Sequence, residues 1–375
     1  MTLIPRVYST RHLRVALYTL CAILTIIILI ITCHKWQLDG EPNLQCFMDV
    51  EPTNLPIVAE NEVESNLPKP LGDVLLTQPQ PTPGRTIFFL ETNCISGTKR
   101  HPLELKARQA CAIESAAKHN PNFQVFVLFA SPRYQQKEGE QPLIDAILSY
   151  PNVQLRQLNL MRFAVGTPIE DWLKDGKLFR SDYPIVHISD LLRLLTLYRF
   201  GGIYLDLDVV LLRSLEQVPL NFAGAESDTH VANGVLSLAP TDFGHQLAAS
   251  CLREFQQHFN GADWGNNGPG VVTRMAKRIC DTQSIEVMQT DPKRCMGFKV
   301  FKRSTFYEVG WVEWRHFFEP QYMEETLQRT KDSLLIHVWN KHSHQMPIKV
   351  GSETAYGKYA EQNCPKVYAA AGEYF

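Results

Sequence analysis

The chain has 375 residues, 45% of them hydrophobic, and its 37 basic and 39 acidic residues leave a formal net charge of −2. A chain of this length and composition can bury one large core or two modest ones, so a folded globular part is expected. The near balance of charge lacks the strong basicity of proteins that bind nucleic acid, and we expect no nucleic-acid partner. Other partners must be inferred from individual sites.

The first element along the chain is an uncharged run at residues 15–32 that is rich in Ile and Leu. It is long enough to cross a bilayer. Residues 1–14 contain three arginines and no acid, whereas Asp39 and Glu41 follow the run, and this asymmetry predicts a cytoplasmic N-terminus and a lumenal C-terminus. A cleaved signal peptide is the alternative, but the run is longer than the usual apolar region and no small-residue cleavage site follows. We therefore predict an uncleaved signal-anchor helix.

Residues 33–84 differ in composition from the rest of the chain. From residue 36 to residue 84 there are eight prolines and eight acids but one lysine, with little apolar periodicity. Such a segment cannot repay its ordering entropy by burying apolar surface. We predict an extended, poorly ordered stem that holds a lumenal head, residues 85–375, away from the membrane.

Seven of the nine cysteines, from Cys46 onward, lie on the predicted lumenal side, where the redox environment permits disulfides. The pairs Cys94 with Cys111 and Cys280 with Cys295 are close enough in sequence for short loops, although free buried thiols are the alternative. Connectivity cannot be read from sequence. Cys46 is alone in the stem and is the natural candidate for a bridge between two chains, which would make a homo-oligomer through the stem.

From residue 85 onward, strand-like runs alternate with helix-like runs, which is typical of an α/β fold with a largely parallel sheet. The predicted strands are residues 86–90, 124–129 and 153–158, and the predicted helices are residues 105–119, 142–150 and 188–199. The last helix has Ser189 as a candidate N-cap and Gly201 as a candidate stop.

Residues 200–212 place two carboxylates in an otherwise apolar strand pattern. Because side chains alternate along a strand, Asp206 and Asp208 are expected to point the same way. Dehydrating two like charges is costly unless a cation compensates, and no Lys or Arg interrupts the run. Mn²⁺ or Mg²⁺ is the simplest compensation, since both share their coordination shell with phosphates. The alternative is a pair of solvent-facing aspartates at a strand end.

On the preceding helix, Asp190 and Arg193 are three residues apart and share a face. An ordinary ion pair within the helix would explain them. The order of helix and strand, however, places all four charged residues near the carboxyl edge of the sheet, where open α/β folds bind ligands.

The combined string Ser189-Asp190-x-x-Arg193 and Phe200-Gly201-Gly202-Ile203-Tyr204-x-Asp206-x-Asp208 resembles the sugar-nucleotide signature of the retaining DxD glycosyltransferases. In particular, it resembles the family of the lactosylceramide 4-α-galactosyltransferases and their invertebrate α-1,4-galactosyl- and N-acetylgalactosaminyltransferase relatives. Further stretches extend the resemblance over residues 86–365: residues 87–92, 111–117, 264–269 and 337–341. The resemblance implies a GT-A type α/β fold in one catalytic domain, and a single-pass Golgi membrane protein with that domain in the lumen.

The same resemblance implies a role for each charged residue at the strand end. Asp208 is expected to be a direct Mn²⁺ ligand, and Asp206 to contact the ribose and support the metal. His337 is the candidate for another metal or diphosphate contact, with a packed structural histidine as the alternative. Asp190 and Arg193 are expected to hold hydroxyl groups of the donor sugar. Metal at the diphosphate would stabilise the charge of the leaving group.

Four more residues are assigned to donor binding by resemblance: Tyr204, Asn233, Gly268 and Glu91. A structural turn is the alternative for Asn233, and a plain glycine-rich loop is the alternative for Gly268. Where the family pattern has His-Gln, this chain has Asn266 and Asn267, a difference that bears on donor or acceptor identity. Four tryptophans of the head would stack on sugars or pack in the core: Trp264, Trp311, Trp314 and Trp339.

The expected activity is transfer of Gal or GalNAc from a UDP-sugar to a terminal Gal or GalNAc of a glycosphingolipid, by an α-1,4 linkage and with Mn²⁺. Retention is expected through attack on the face that the diphosphate leaves. An α-1,4-N-acetylglucosaminyltransferase or another glycoprotein-glycan transferase is the enzymatic alternative. A non-catalytic, membrane-tethered glycan-binding scaffold is the alternative of another class.

Overall fold

The computed structural model describes residues 15, 18–20, 23–26, 45–48, 69–93 and 102–375. The chain divides into two units, residues 1–44 and 45–375. In the first unit the described residues are helical and their large apolar side chains, such as that of Ile23, are exposed. Within the described ranges no helix is long and apolar enough to span a bilayer. Most of the signal-anchor segment, residues 15–32, lies outside them and stays a prediction.

The second unit alternates strands with helices. Its strands are β1 Lys69–Pro70, β2 Thr86–Glu91, β3 Gln124–Phe129, β4 Tyr134–Gln135, β5 Val153–Gln157, β6 Gly202–Leu205, β7 Val209–Leu211, β8 Phe222–Ala225, β9 Val231–Leu238, β10 Lys299–Phe301 and β11 Leu335–His337. Its α-helices are α1 Gln45–Met48, α2 Ala107–His119, α3 Pro142–Leu148, α4 Leu160–Ala164, α5 Glu170–Lys174, α6 Pro184–Phe200, α7 Asp242–Gln257, α8 Pro269–Ile279, α9 Ile285–Thr290, α10 Arg303–Phe306, α11 Met323–Arg329, α12 Asn340–Ser343, α13 Ala355–Asn363 and α14 Pro365–Ala370. Short 3₁₀ segments lie at Leu178–Arg180, Pro292–Cys295, Trp311–Phe317 and Pro320–Tyr322.

The central sheet has the strand order β10-β8-β9-β6-β2-β3-β5. Its pairs are parallel except those of β9, which runs antiparallel to β6 and to β8. The five residues between β8 and β9 are too few for a crossover helix, so the chain must return beside β8 in the opposite direction. The α/β prediction is therefore confirmed, and so is the largely parallel sheet, in which β9 is the one reversed strand and makes the sheet mixed.

Helix α6 is longer at its N-terminus than the sequence pattern predicts. It begins at Pro184, a residue that suits the first helical position because it has no N–H to leave unpaired. Ser189 is thus an interior residue, and its prediction as the N-cap is wrong. Gly201 does end the helix, with a φ of 61° that a residue with a side chain rarely adopts.

The aspartate strand is interrupted. β6 ends at Leu205 and stays in the central sheet, whereas β7 begins at Val209 and leaves it to pair with β11 in a separate antiparallel ribbon. Asp206 and Asp208 lie in the turn between the two strands. The prediction of one continuous strand is wrong, but both carboxylates still face one site, as described below.

The second half of the predicted stem packs against the head. Lys69–Pro70 pairs with Tyr134–Gln135, and Leu71 and Val74 are buried. Farther upstream, α1 contacts α4, and its residues Cys46 and Phe47 are buried. These residues gain apolar burial and backbone partners that a composition-based reading of a Pro-rich segment cannot detect.

The disulfides of the described residues differ from the spacing-based prediction. Cys280 pairs with Cys295 as expected. Cys111 pairs with Cys364, 253 residues away, so its prediction as the partner of Cys94 is wrong. Cys46 is disulfide-bonded within the single chain, so the expectation that it joins two chains is also wrong. Cys251 is free and buried.

Candidate active site

A ribbon of two short strands brings His337 to the two aspartates. β11 pairs with β7 in the register His337 with Val209, and the Val338 N–H donates to the Asp208 carbonyl over 2.9 Å. The His337 Nε2 atom lies 3.2 Å from Asp208 Oδ1 and 3.6 Å from Asp206 Oδ2. The remaining oxygen of Asp208, Oδ2, accepts the Asn340 N–H over 2.8 Å. Residues far apart in sequence thus meet at one point.

This cluster fits a divalent cation. One ligand atom from each of Asp206, Asp208 and His337 lies within 4.8 Å of the other two. Two carboxylates and one imidazole form a donor set that suits Mn²⁺ and also accommodates Mg²⁺. Both aspartates are half-buried and His337 is buried, so water does not screen their charges fully.

The electrostatics of the cluster separate its two aspartates. Burial raises the pKa of Asp206, but attraction to Arg193 and hydrogen bonds from His337 and Tyr204 outweigh burial and hold this pKa below its ordinary value. Burial also raises the pKa of Asp208, and there the attraction to His337 does not offset it. For His337, burial lowers the pKa, but the two carboxylates, Asp208 first, raise it above its ordinary value. A cation at this point would meet an ionised Asp206.

Arg193 holds Asp206 in place. Its Nη1 donates to Asp206 Oδ1 over 2.9 Å and to the Asn233 carbonyl over 3.1 Å, and its Nη2 and Nε donate to Ser189. The Tyr204 hydroxyl donates to the same Asp206 oxygen over 2.7 Å, beneath the guanidinium. Arg193 is also 3.6 Å from Asp190. Arg193 and Tyr204 therefore position Asp206, and a direct contact of either with a donor sugar stays a prediction.

Asp190, Asn233 and Gly268 converge in a second, adjoining group. The Asn233 amide donates to Asp190 Oδ1 over 2.8 Å, whereas Asp190 Oδ2 is buried without a hydrogen-bond partner among the described residues. A Cβ on Gly268 would lie 2.3 Å from Asp190 Oδ1 and 2.5 Å from the Asn233 amide. Only glycine permits this approach. The orphaned oxygen is suited to accept a hydrogen bond from a ligand hydroxyl.

A similarly close approach of backbone to side chain connects the second group to Asp206 and His337. A Cβ on Gly234 would lie 2.6 Å from Asp206 Oδ2 and 3.4 Å from His337 Nε2. Strand β9 therefore passes directly beside the aspartate turn, with Asn233 facing Asp190 and Gly234 facing Asp206. Asn233 thus lies beside Asp190, and its contact with a donor sugar stays a prediction.

Asn266 and Asn267 hold the glycine-rich loop. The buried Asn267 amide donates to the Asn260 carbonyl over 2.7 Å and contacts His187 Nε2 at 3.0 Å. Arg274 donates to the Asn266 side chain over 3.0 Å. The residues that differ from the family pattern therefore act on loop shape in this chain.

Glu91 is not part of the cluster. Its carboxylate pairs with buried Arg133 at 3.3 Å and accepts the Asn93 N–H over 3.0 Å. Burial raises its pKa, and the hydrogen bond from Asn93 and the charge of Arg133 oppose that effect. These contacts give Glu91 a structural role at the end of β2, and a nucleoside contact stays a prediction.

Sequence reasoning missed two contributors, Asn340 and Tyr307, whereas Trp339 was expected to stack on a sugar or to pack in the core. The Asn340 backbone binds Asp208, and the Tyr307 and Trp339 rings pack around His337 with centroids 5.6 Å and 4.4 Å away. The Trp339 indole donates to the Val309 carbonyl over 2.9 Å, so Trp339 has a structural role. Asn340 and Trp339 fall inside the quoted stretch 337–341, which is a usable signal, whereas nothing in the sequence around Tyr307 marks it.

The parts of the chain that form this site are similar to known proteins. Residues 106–225 match the family model of the glycosyltransferase sugar-binding region containing a DXD motif, and residues 240–371 match that of the alpha 1,4-glycosyltransferase conserved region. The lactosylceramide 4-alpha-galactosyltransferase of Rattus norvegicus is 32% identical over 77% of this chain and 76% of its own length. That of Homo sapiens is 31% identical over 82% and 85%. The alpha-1,4-N-acetylglucosaminyltransferase of Homo sapiens is 28% identical over 76% and 80%.

The buried carboxylate of Asp190 predicts a pH-dependent stability effect. Burial raises its pKa from 3.8 to about 6, so the folded state binds a proton more tightly than the unfolded state. This contribution to stability is fully present below pH 3.8 and is lost as the pH rises through 6. Asp190→Asn removes the titration while keeping the side-chain volume. We expect it to be more stable than the unchanged chain by about 2–3 kcal/mol at pH 7.5 and by much less at pH 4.

Chemical unfolding at both pH values measures this difference. Asp171→Asn is the matched control, because the Asp171 side chain is exposed. A stability difference for Asp190→Asn that is unchanged between pH 4 and pH 7.5 would contradict the prediction.

Proposed function

This chain belongs to the alpha 1,4-glycosyltransferase family, and from that premise we propose that it is a retaining α-1,4-hexosyltransferase which moves Gal or GalNAc from a UDP-sugar to a terminal Gal or GalNAc of a glycosphingolipid. The observation that carries the proposal is the meeting of Asp206, Asp208 and His337 beside the orphaned carboxylate oxygen of Asp190. A cation site next to a hydroxyl-binding site is what a nucleotide-sugar requires. We also assign the mixed α/β sheet to the GT-A type.

In this proposal Asp206, Asp208 and His337 hold Mn²⁺, which when bound supplies positive charge to the diphosphate as it leaves. Arg193 and Tyr204 keep Asp206 ionised and fixed, because both donate to its Oδ1. That arrangement needs no reorganisation when the donor binds.

Asp190 supplies the sugar contact. Its Oδ2 accepts a hydrogen bond from a hydroxyl group of the donor sugar. Asn233 fixes the carboxylate by donating to Oδ1. Gly268 packs directly against the pair, an approach that the absence of a side chain permits. The acceptor hydroxyl then attacks the anomeric carbon on the face from which the diphosphate leaves, and a diphosphate oxygen takes the hydroxyl proton, so the anomeric configuration is retained.

The second candidate activity is transfer of N-acetylglucosamine. It is favoured by the match to the N-acetylglucosaminyltransferase of Homo sapiens, which covers 80% of that protein's length. A non-catalytic scaffold is the third. It would have no need for the two aspartates and a histidine to converge on one point.

The membrane assignment is part of the proposal. Residues 15–32 would form a signal-anchor, with residues 1–14 in the cytoplasm and the catalytic domain in the Golgi lumen. The arginines that precede the run and the acids that follow it support this orientation.

A donor and acceptor panel tests the proposed activity. The full-length chain in detergent is incubated with Mn²⁺, with each of several UDP-sugars and with glycolipid and glycoprotein acceptors, and the product linkage is determined. We expect α-1,4-linked Gal or GalNAc on a glycolipid. Transfer of GlcNAc to a glycoprotein glycan would support the second candidate, and glycan binding without transfer would support the scaffold.

Asp208→Asn tests the metal site. The change keeps volume but removes one ligand charge, so we expect UDP affinity in Mn²⁺ and transfer to fall by about 100-fold or more. Thermal stability without metal should be unchanged or slightly higher, because a half-buried charge is neutralised. Asp171→Asn is the control and should behave like the unchanged chain. UDP binding and transfer that are indifferent to EDTA would remove the metal from the proposal.

Topology is tested in sealed Golgi vesicles that carry the full-length chain. We expect the catalytic domain to resist an added protease until detergent opens the vesicles, since the orientation places it inside. An epitope at the N-terminus should be removed in both conditions. Digestion of the catalytic domain in intact vesicles would reverse the orientation.

A further inference from the structure

Two tryptophans beside the candidate active site are exposed. Trp264 has 40% and Trp311 has 51% of its surface in solvent, and Val312, which follows Trp311, has 70%. Trp314 and Trp339, in contrast, are partly buried and pack on the core. Exposed indoles near a ligand site are candidates for binding, because an indole has a large, rigid face that packs against an apolar face of a ligand.

Both indoles are held by the same short helix. The Lys341 ammonium lies 3.5 Å from the centroid of the Trp264 ring, and the His342 ring stacks on Trp311 at 5.7 Å with an interplanar angle of 24°. A cation over one indole and an aromatic ring over the other restrict the orientation of each. Each tryptophan is therefore fixed in position and still exposed, which is the arrangement that a preformed binding surface needs.

The position of helix α12 connects these rings to the reaction. α12 begins at Asn340, whose N–H binds the carboxylate of Asp208. Trp264 also lies four residues before Gly268, which closes on Asp190. One indole thus belongs to the loop of the proposed sugar pocket, and the other contacts His342, two residues after the start of a helix that begins at the proposed metal site.

We propose that Trp264 and Trp311 form the acceptor-binding surface of this enzyme, an inference that rests on the proposed function. One face of a galactose ring presents the hydrogens of C3, C4 and C5 together, so that this face is apolar and packs against an indole. Trp264, in the loop of the sugar pocket, takes the terminal sugar whose hydroxyl reacts, and Trp311 takes the sugar before it. The acceptor is therefore recognised as a glycan.

The test uses the full-length chain in detergent, with lactose as a soluble acceptor that ends in galactose. Trp264→Ala and Trp311→Ala are each compared with the corresponding Phe variant. Leu76→Ala is the control, because Leu76 is also exposed and apolar but lies on the segment before β2. The measurements are the KM and kcat for lactose, UDP affinity in Mn²⁺, and hydrolysis of the UDP-sugar without acceptor.

We expect each Ala variant to raise the KM for lactose about tenfold, the loss typical of one aromatic contact, while UDP affinity and donor hydrolysis stay unchanged. The Phe variants should recover most of the affinity, because they keep an aromatic face. An unchanged KM for lactose overturns the inference. A fall in UDP affinity also overturns it, because that result would place the rings at the donor.

A separate measurement distinguishes this inference from the proposed function. Lactose is titrated into the chain loaded with UDP and Mn²⁺ while tryptophan fluorescence is recorded. A saturable change that is lost in Trp264→Ala supports the surface even if no transfer occurs, in which case the proposed function alone fails. Active transfer with a titration identical in both Ala variants and the unchanged chain overturns the inference alone.

Discussion

The repulsion between Asp206 and Asp208 is the constraint on which the site depends. Two half-buried carboxylates separated by one residue are unfavourable unless positive charge is near both. Arg193 approaches Asp206 from helix α6 at 2.9 Å, and His337 approaches both from strand β11 at 3.2 Å and 3.6 Å. Because the two partners come from different elements, the turn between β6 and β7 is held at two points. A metal would enter a cluster that is already arranged.

The contact of His337 with the two aspartates requires the region after β11 to be fixed on the rest of the head. Arg108 of helix α2 is buried and donates to the Ser343 carbonyl over 2.9 Å and to the Met346 carbonyl, so it fixes the end of α12. Farther along the same helix, Glu114 accepts hydrogen bonds from the Lys366 and Val367 N–H groups at the start of α14, over 3.0 Å and 2.7 Å. The disulfide between Cys111 and Cys364 adds a covalent link at the same place. One face of α2 therefore positions His337 without touching it.

The site also keeps polar groups whose contacts are incomplete. Asp190 has a pKa of about 6 and an oxygen without a partner among the described residues, and two glycines replace side chains where β9 and the loop approach the carboxylates. Each feature costs stability in the free protein, as is common where a surface is shaped for a ligand. Asn267 and Arg274 limit that cost by fixing the loop.

The sequence alone determined the features that depend on local pattern. It predicted the α/β class, the strands β2, β3 and β5, the helices α2, α3 and most of α6, the end of α6 at Gly201, and the charged residues of the site, because periodicity, glycine and charge spacing are local properties. The tertiary structure decided what local pattern does not encode. It broke the aspartate strand, since β7 pairs with a strand more than 120 residues away. It joined Cys111 to Cys364, packed residues 69–84 on the head, and turned Arg193 towards Asp206. Each of these depends on contacts between distant segments, whose partners only folding brings together.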